Sequence, residues 1–156
     1  MPSDSELLRE LYDREQVRDV VNRYATSLDT QDREAFRSCF TDRIKIGPFP
    51  TLYRKVPTDV SVDDWMDQAL TDAAGFERCQ HFATNHQIQL HGEQATCKAY
   101  VLAQHYMPNS WGEPFATLGG WWTFRMVRTD DGWRIESYDV YHQWKSGNSW
   151  VYQAAW

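Results

Sequence analysis

The chain has 156 residues and a formal net charge of −6, and aromatic residues make up 15% of it. This length fits one domain with a sizeable core. The acidic balance argues against a nucleic-acid partner, because phosphate binding requires a basic patch and the sequence has none. The 8 Trp and 8 Tyr predict an aromatic-lined cavity or a large interface, and a bulky core explains them equally well.

The three cysteines, Cys39, Cys79 and Cys97, lie far apart in the chain. An odd number at wide spacing matches neither a disulfide framework nor a zinc-binding pattern, and it favours a reducing, cytoplasmic location. The polar, acidic N-terminus does not resemble a signal peptide, and no apolar run is long enough to span a membrane. We therefore predict a single domain over residues 1–156 with no membrane partner.

Two helices are predicted at the start of the chain. The first covers residues 4–28, where apolar residues recur at offsets of three and four, and Asp4 or Ser5 can cap it. The second is predicted over Asp32–Phe40. The apolar stripe of the first helix comprises Leu7, Leu8, Leu11, Tyr12, Val17, Val20, Val21, Tyr24 and Leu28.

The next stretch is mostly irregular and then returns to helix. Residues 43–46 alternate like a short strand, and prolines keep the following segment irregular up to Asp59. A third helix begins after Ser61, whose side chain can cap it, and ends near Gly75.

The hydrophobic period changes from helical to two at Arg78. Strands of about twelve residues bend strongly, and Gly119-Gly120 is the natural place for a bend or bulge. Helices followed by a strand meander predict an α+β domain, with the helices against one face of a curved antiparallel sheet. The four long strands are predicted at 78–90, 95–107, 115–128 and 133–144.

Asp29 and His81 are the first candidates for chemistry. Asp29 follows the apolar stripe of the first helix, and the pattern alone favours a role as helix cap. Alternation places His81 on one face of its strand with Asn85, Gln87 and Gln89. A strand histidine is usually a structural residue, and catalysis by it requires a partner that fixes the ring tautomer, as a carboxylate does. Asp29 is the candidate for that carboxylate.

His105 and the tryptophans of the third long strand are further candidates. His105 shares a small, apolar face with Val101 and Ala103, as the wall of a pocket would, and the alternative is a half-exposed histidine near a strand end. Trp121 and Trp122 point to opposite faces, so one lines a cavity or core and the other lies outside, where it can form a dimer interface.

The remaining histidines, His86, His91 and His142, are weaker candidates for chemistry. No histidine pair has the helical spacing of a zinc motif, and the sequence contains neither a glycine-rich phosphate loop nor a nucleophile elbow. We therefore expect no metal site.

The order of these motifs resembles the SnoaL-like branch of the nuclear transport factor 2-like superfamily, and it is most similar to the scytalone dehydratases. The resemblance covers residues 5–145 and leaves 146–156 as a tail that covers a pocket or an interface. The matching motifs are Tyr24-x4-Asp29-x2-Asp32, Gln80-His81-Phe82-x2-Asn85, Gly92-Glu93-x-Ala95-x3-Ala99-Tyr100 and Asp131-Gly132-Trp133-Arg134-Ile135.

The resemblance implies a cone-shaped α+β barrel, in which three helices from the N-terminal half close a strongly curved sheet. It also implies a cofactor-free elimination or isomerisation. His81 would take a proton from carbon, Asp29 would orient its ring, and His105 would help at the leaving group. The implied partner is a hydrophobic, cyclic small molecule. Its expected contacts are Tyr24, Phe49, Tyr53, Trp65, Asn85, Val101, Ala103, Trp121 and Thr123.

The chain departs from the scytalone dehydratase pattern at two tyrosines that hold a water or a substrate oxygen. It has Leu28 at one position and Gly47-Pro48-Phe49 at the other, and Tyr24, Tyr53 and Tyr106 are the candidate replacements. We therefore do not expect scytalone itself as the substrate. A lining rich in Trp and Phe would suit a flatter, more apolar ligand, of an aromatic, terpenoid or steroid-like kind.

Two other functions are compatible with the same pattern. The superfamily also contains ligand-binding modules without activity and small structural subunits of ring-hydroxylating oxygenases. A tryptophan on the outer sheet face would favour a homodimer or homotrimer.

Overall fold

The computed structural model describes residues 1–47 and 59–155. In these ranges, the prediction of three N-terminal helices and a run of long strands is confirmed, and the tail forms a further helix. The helices are α1 (Asp4–Thr30), α2 (Arg33–Arg37), α3 (Val62–Ala74) and α4 (Trp150–Ala155), and the strands are β1 (Phe40–Ile46), β2 (Asp59–Ser61), β3 (Arg78–His91), β4 (Gln94–Tyr106), β5 (Phe115–Thr129) and β6 (Gly132–Gly147).

The described strands form one sheet in the order β2-β1-β6-β5-β4-β3. β1 pairs with β6 in parallel, and the other neighbours pair antiparallel. The register of β5 against β6 shifts between Gly119 and Gly120, where the sequence predicts a bend. A Cβ on Gly120 would lie 1.9 Å from the carbonyl oxygen of Tyr141, so only glycine allows this close approach. The result is the curved, mixed sheet of an α+β fold.

Helix α1 packs against the sheet and supplies the aromatic residue at the centre of the core, Tyr24. Its stripe is buried from Val17 onwards, as predicted. The rings with centroids within 6.0 Å of the Tyr24 ring are those of Phe36, Phe40, Trp122, Phe124 and Tyr138. These edge-to-face and tilted ring contacts stabilise the core by more than the burial of their surface alone.

The first turns of α1 differ from the prediction. Its cap is Ser3, which exchanges hydrogen bonds with Glu6 in a capping box, and neither Asp4 nor Ser5 has that role. The apolar side chains of these turns are not buried, and burial along α1 begins only at Asp13. The exposed side chains are Leu7, Leu8, Leu11 and Tyr12, with exposed fractions of 44%, 66%, 63% and 62%.

Strand β3 contains a bulge that changes which residues face inward. The register against β4 shifts between Thr84 and Gln87, and Asn85 has a φ of 53°. Ala83 packs on the core before the bulge, and Ile88 is buried after it. The predicted continuous face from His81 to Gln89 is therefore wrong, because the extra residue reverses the alternation.

Within the described ranges, no helix combines the length and the apolar composition that a membrane crossing requires.

Candidate active site

A cavity of about 140 Å³ lies between the helices and the inner face of the sheet. Aromatic and aliphatic side chains form most of its wall, among them Tyr24, Trp65, Val101 and Trp122. Besides tyrosines, the ionisable and polar side chains of the described residues that reach it are Asp72, His81, His105, His142, Lys145 and Ser149. An apolar cavity with a few convergent polar groups is the usual form of a small-molecule site.

Asp29 and His81 form a close pair at this cavity. Oδ1 of Asp29 lies 2.6 Å from Nδ1 of His81, and Oδ2 accepts the backbone N–H of His81 at 2.9 Å. Because a carboxylate only accepts, Nδ1 carries the proton of the neutral ring and Nε2 keeps a lone pair. The two side chains are 20% and 10% exposed, respectively. The arrangement is that of a base whose tautomer is set by a carboxylate.

The end of α1 explains how Asp29 reaches His81. The helix continues to Thr30 and ends at Gln31, which has a left-handed φ of 58°. The capping role that the pattern favours for Asp29 is wrong, because Asp32 caps α2 by accepting the N–H of Ala35 at 2.9 Å. Asp29 is therefore available for the contact with β3.

His105 lies beside the pair. Its ring centroid is 5.7 Å from that of His81, and its Nδ1 is 3.1 Å from the Tyr152 hydroxyl. Burial lowers the pKa of His105 to about 3, the charge of His81 acts in the same direction, and a backbone hydrogen bond with Ala116 partly opposes both. His105 is therefore neutral near pH 7. Burial also lowers the pKa of His142 to about 4.

The family model of the SnoaL-like domain matches residues 9–139. This chain belongs to the SnoaL-like domain family. The match covers most of the chain and agrees with the resemblance that its sequence motifs indicate. No protein of curated function matches it in sequence.

Solved structures share the fold of this SnoaL-like domain. The Kfla4162 protein from Kribbella flavida is 24% identical over 92% of this chain and 99% of that one, with a TM-score of 0.85. A proposed scytalone dehydratase from Novosphingobium aromaticivorans is 16% identical over 88% of both chains, with a TM-score of 0.74. The hexachlorocyclohexane dehydrochlorinase LinA-type3 from Novosphingobium barchaimii LL02 is 12% identical over 91% and 94%, with a TM-score of 0.73. At these identities the likeness establishes the fold alone.

The structure places some of the predicted contact residues at the cavity and others away from it. Tyr24, Trp65, Val101 and Ala103 line the cavity. Phe49 and Tyr53 lie outside the described residues.

Asn85, Trp121 and Thr123 require correction, because they do not line the cavity. Asn85 is exposed at the bulge of β3. Trp121 lies on the outer sheet face, where its ring stacks on Tyr141 at 4.3 Å and Nζ of Lys98 lies 4.2 Å from its centroid. Thr123 follows Trp121 by two positions and shares that face.

Sequence reasoning missed several residues of the cavity. Trp122 is the inward tryptophan, and its ring lies 5.7 Å from that of His81. Tyr138, Val140 and His142 alternate along β6 and all line the cavity, so the period of two could have found them. Tyr152 had no comparable signal, because its position depends on how the tail folds back.

None of the described residues form a cluster of three or more metal-ligating side chains.

Proposed function

We propose that this SnoaL-like domain is a cofactor-independent lyase or isomerase that removes a proton from carbon in a small hydrophobic ring compound. The observation that supports this proposal most is the Asp29–His81 pair at the wall of an apolar cavity. A lone-pair nitrogen held by a carboxylate is a general base, and proton abstraction is the chemistry it serves best.

The first step uses Nε2 of His81 as the base. When it takes a proton from the substrate, the ring becomes an imidazolium, and the Asp29 carboxylate at 2.6 Å stabilises that charge. The apolar wall strengthens this attraction, because both side chains are largely buried and solvent screens the pair only weakly. Asp29 thus lowers the energy of the charged intermediate while it keeps the ring in place.

The second step decides between the two reaction types. In an elimination the electron pair of the broken C–H bond forms a double bond as a leaving group departs, with His105 beside it. In an isomerisation His81 returns the proton to another carbon of the same molecule. Two structures of this fold carry the names of eliminating enzymes, a dehydratase and a dehydrochlorinase, and this supports the first type.

The size of the cavity indicates what fits beside His81. A closed apolar cavity of about 150 Å³ holds a benzene molecule, and the cavity here measures about 140 Å³ and is open on one side. Within the expected group of aromatic, terpenoid and steroid-like ligands, we therefore propose a compound that places a single ring in the cavity.

Deuterium exchange tests the proposal and does not require the product to be identified first. A panel of monocyclic compounds with activated C–H bonds is incubated with the protein in D2O, and mass spectrometry follows deuterium uptake and loss of a leaving group. We expect His81→Ala to abolish both, while His91→Ala, at the exposed end of β3, keeps them. Equal rates in His81→Ala and the unaltered protein would exclude His81 as the base.

A binding module without activity is the second candidate, since the same cavity could hold a ligand. Compounds that raise Tm but show neither exchange nor product would establish it in place of the enzyme.

We also propose that the domain forms a homodimer or homotrimer through the outer face of its sheet. Exposed aromatic and aliphatic side chains on β3, β4 and β6 form an outer apolar surface of the kind that marks interfaces. This surface also suits packing against a larger oxygenase subunit, but the cavity favours a ligand-binding role. The outer apolar surface consists of Phe82, Tyr100, Leu102, Tyr141 and Trp144, which are 38% to 48% exposed.

A further inference from the structure

Helix α4 brings Tyr152 into the cavity, and both ends of the helix are held. Asn148, just before the helix, donates its backbone N–H to the carbonyl oxygen of Phe115 at 2.7 Å. At the other end Ala155 packs on Gly75, where a Cβ would lie only 2.4 Å from the Ala155 carbonyl oxygen. Tyr152 is 6% exposed, so its ring has a defined position inside the domain.

Tyr152 contacts His105 through its hydroxyl and its ring. The hydroxyl oxygen lies 3.1 Å from Nδ1 of His105, and the two rings meet edge to face at 5.2 Å. Phe76 packs on both, with centroids 4.5 Å from His105 and 5.8 Å from Tyr152. The His105 ring is thus confined by aromatic neighbours, and a polar group meets its Nδ1.

We propose that Tyr152 is a positioning residue that holds His105 as the Nε2–H tautomer, so that His105 acts as an uncharged hydrogen-bond donor beside the His81 base. The contact between the hydroxyl and Nδ1 does not by itself fix the donor. The hydroxyl is the better donor, because a phenol is more acidic than the N–H of a neutral imidazole, and an imidazole whose Nδ1 accepts carries its proton on Nε2. Asp29 holds His81 in the opposite tautomer. Two neighbouring histidines therefore present a lone pair and an N–H to the same cavity.

This pair of opposite tautomers adds detail to the proposed function, and its role in the reaction rests on that proposed function. The proton from carbon goes to Nε2 of His81, and Nε2–H of His105, the one ring donor left for the backbone of Ala116 in the free protein, donates a hydrogen bond to the substrate atom that becomes negative. His105 keeps its own proton, because its loss would leave an anionic ring in an apolar site. In an elimination the departing group leaves with the electrons of its bond to carbon and takes the proton from His81, so no net proton is required.

The tautomer can be measured without any substrate. In 15N-labelled protein at neutral pH, long-range proton–nitrogen NMR distinguishes the protonated ring nitrogen from the unprotonated one, and His105→Gln assigns the signals. We expect Nε2–H for His105 in the unaltered protein and a mixture of tautomers in Tyr152→Phe, which removes the hydroxyl alone. Tyr100→Phe, on the outer face, should leave the signals unchanged.

An Nδ1-protonated His105 in the unaltered protein would overturn the inference, since the ring would then donate to the Tyr152 oxygen or to the backbone. Identical His105 signals in Tyr152→Phe would also overturn it. Both outcomes are independent of whether a reaction is found, so this inference and the proposed function can fail separately.

Kinetics provide the second readout once a substrate is known. Tyr152→Phe should lower kcat by up to about 10²-fold with little change in KM, because a displaced group weakens the transition state more than binding. A loss confined to KM would show that Tyr152 only shapes the cavity and would contradict the positioning role.

Discussion

The Asp29 carboxylate accepts two hydrogen bonds from one residue, His81: the backbone N–H donates at 2.9 Å and the ring Nδ1 at 2.6 Å. Because one oxygen is bound to the strand and the other to the ring, the carboxylate cannot rotate without losing both bonds. The contact ties the end of α1 to β3 and sets the orientation of the imidazole at once. The same contact therefore stabilises the fold locally and directs Nε2 as a base.

Replacing Asp29 with Asn should remove activity and leave the fold. The amide can donate to Nδ1, which would move the ring proton to Nε2 and remove the lone pair. We expect turnover to fall by about 10⁴-fold, as in other Asp–His pairs, with a small change in Tm. Deuterium exchange and thermal unfolding measure the two effects.

Asp32→Asn is the matched control for this prediction. It makes the same chemical change at the cap of α2, where Asn caps about as well as Asp, so it should retain activity. Normal turnover in Asp29→Asn would remove Asp29 from the mechanism.

His105 should make stability depend on pH. Its pKa falls from 6.5 to about 3 on folding, chiefly through burial. Between these values the unfolded chain binds a proton that the folded protein does not, so the free energy of unfolding rises with pH up to about 6.5. The expected contribution is about 1.4 kcal/mol per pH unit. His142, with a pKa lowered to about 4, acts in the same direction.

Urea unfolding at several pH values between about 5 and 7 measures this slope. His105→Gln should reduce it by one proton's contribution, whatever its effect on stability at neutral pH. His91→Gln, at the exposed end of β3, should leave it unchanged. An unchanged slope in His105→Gln would mean that His105 is not the group whose protonation is suppressed in the folded protein.

Asp13 should stabilise the fold through a pair that sequence analysis did not identify. Its carboxylate accepts from Arg128 at 2.8 and 2.6 Å and from Nε1 of Trp133 at 3.3 Å. The hydrogen bonds from Arg128 are the main cause that lowers the pKa of Asp13 below 3.8. Since its folded-state pKa is lowered, the pair stabilises the protein above about 3.8, and the contribution disappears as pH falls through the folded-state pKa.

Asp13→Asn should therefore lower the free energy of unfolding by about 2 kcal/mol near pH 7, and by much less in acid. Asp67→Asn breaks the exposed pair with Arg33 and should change stability by less than about 1 kcal/mol. Equal effects of the two substitutions on the free energy of unfolding in urea would show that the buried pair of Asp13 stabilises the protein no more than an exposed pair does.

The outer apolar surface should determine the oligomeric state. Tyr100→Glu places a charge near its middle and should convert a dimer or trimer to a monomer in light scattering after size exclusion. Thr26→Glu, on the exposed side of α1, is the control and should not change the mass. A monomer before any substitution would disprove the proposed assembly.

Several features were predictable because they depend on neighbours in sequence. The cap of α3 at Ser61, the hairpin turns and the bend at Gly119-Gly120 follow from local turn and cap chemistry. The exposed start of α1 was not predictable, since its leucines have helical spacing and the pattern does not show where the sheet ends. The bulge at Asn85 likewise gives no local signal, and it alone placed Asn85 away from the cavity.

By itself, the sequence determined the order and type of the main elements, because the hydrophobic period is a local property of the chain. The tertiary structure alone decided that Asp29 meets His81, that Trp122 rather than Trp121 faces the cavity, and that α4 returns Tyr152 to His105. These contacts depend on where strands bulge and how helices dock. Packing between residues far apart in the chain determines the bulges and the docking of the helices, and a local stretch of sequence does not contain that information.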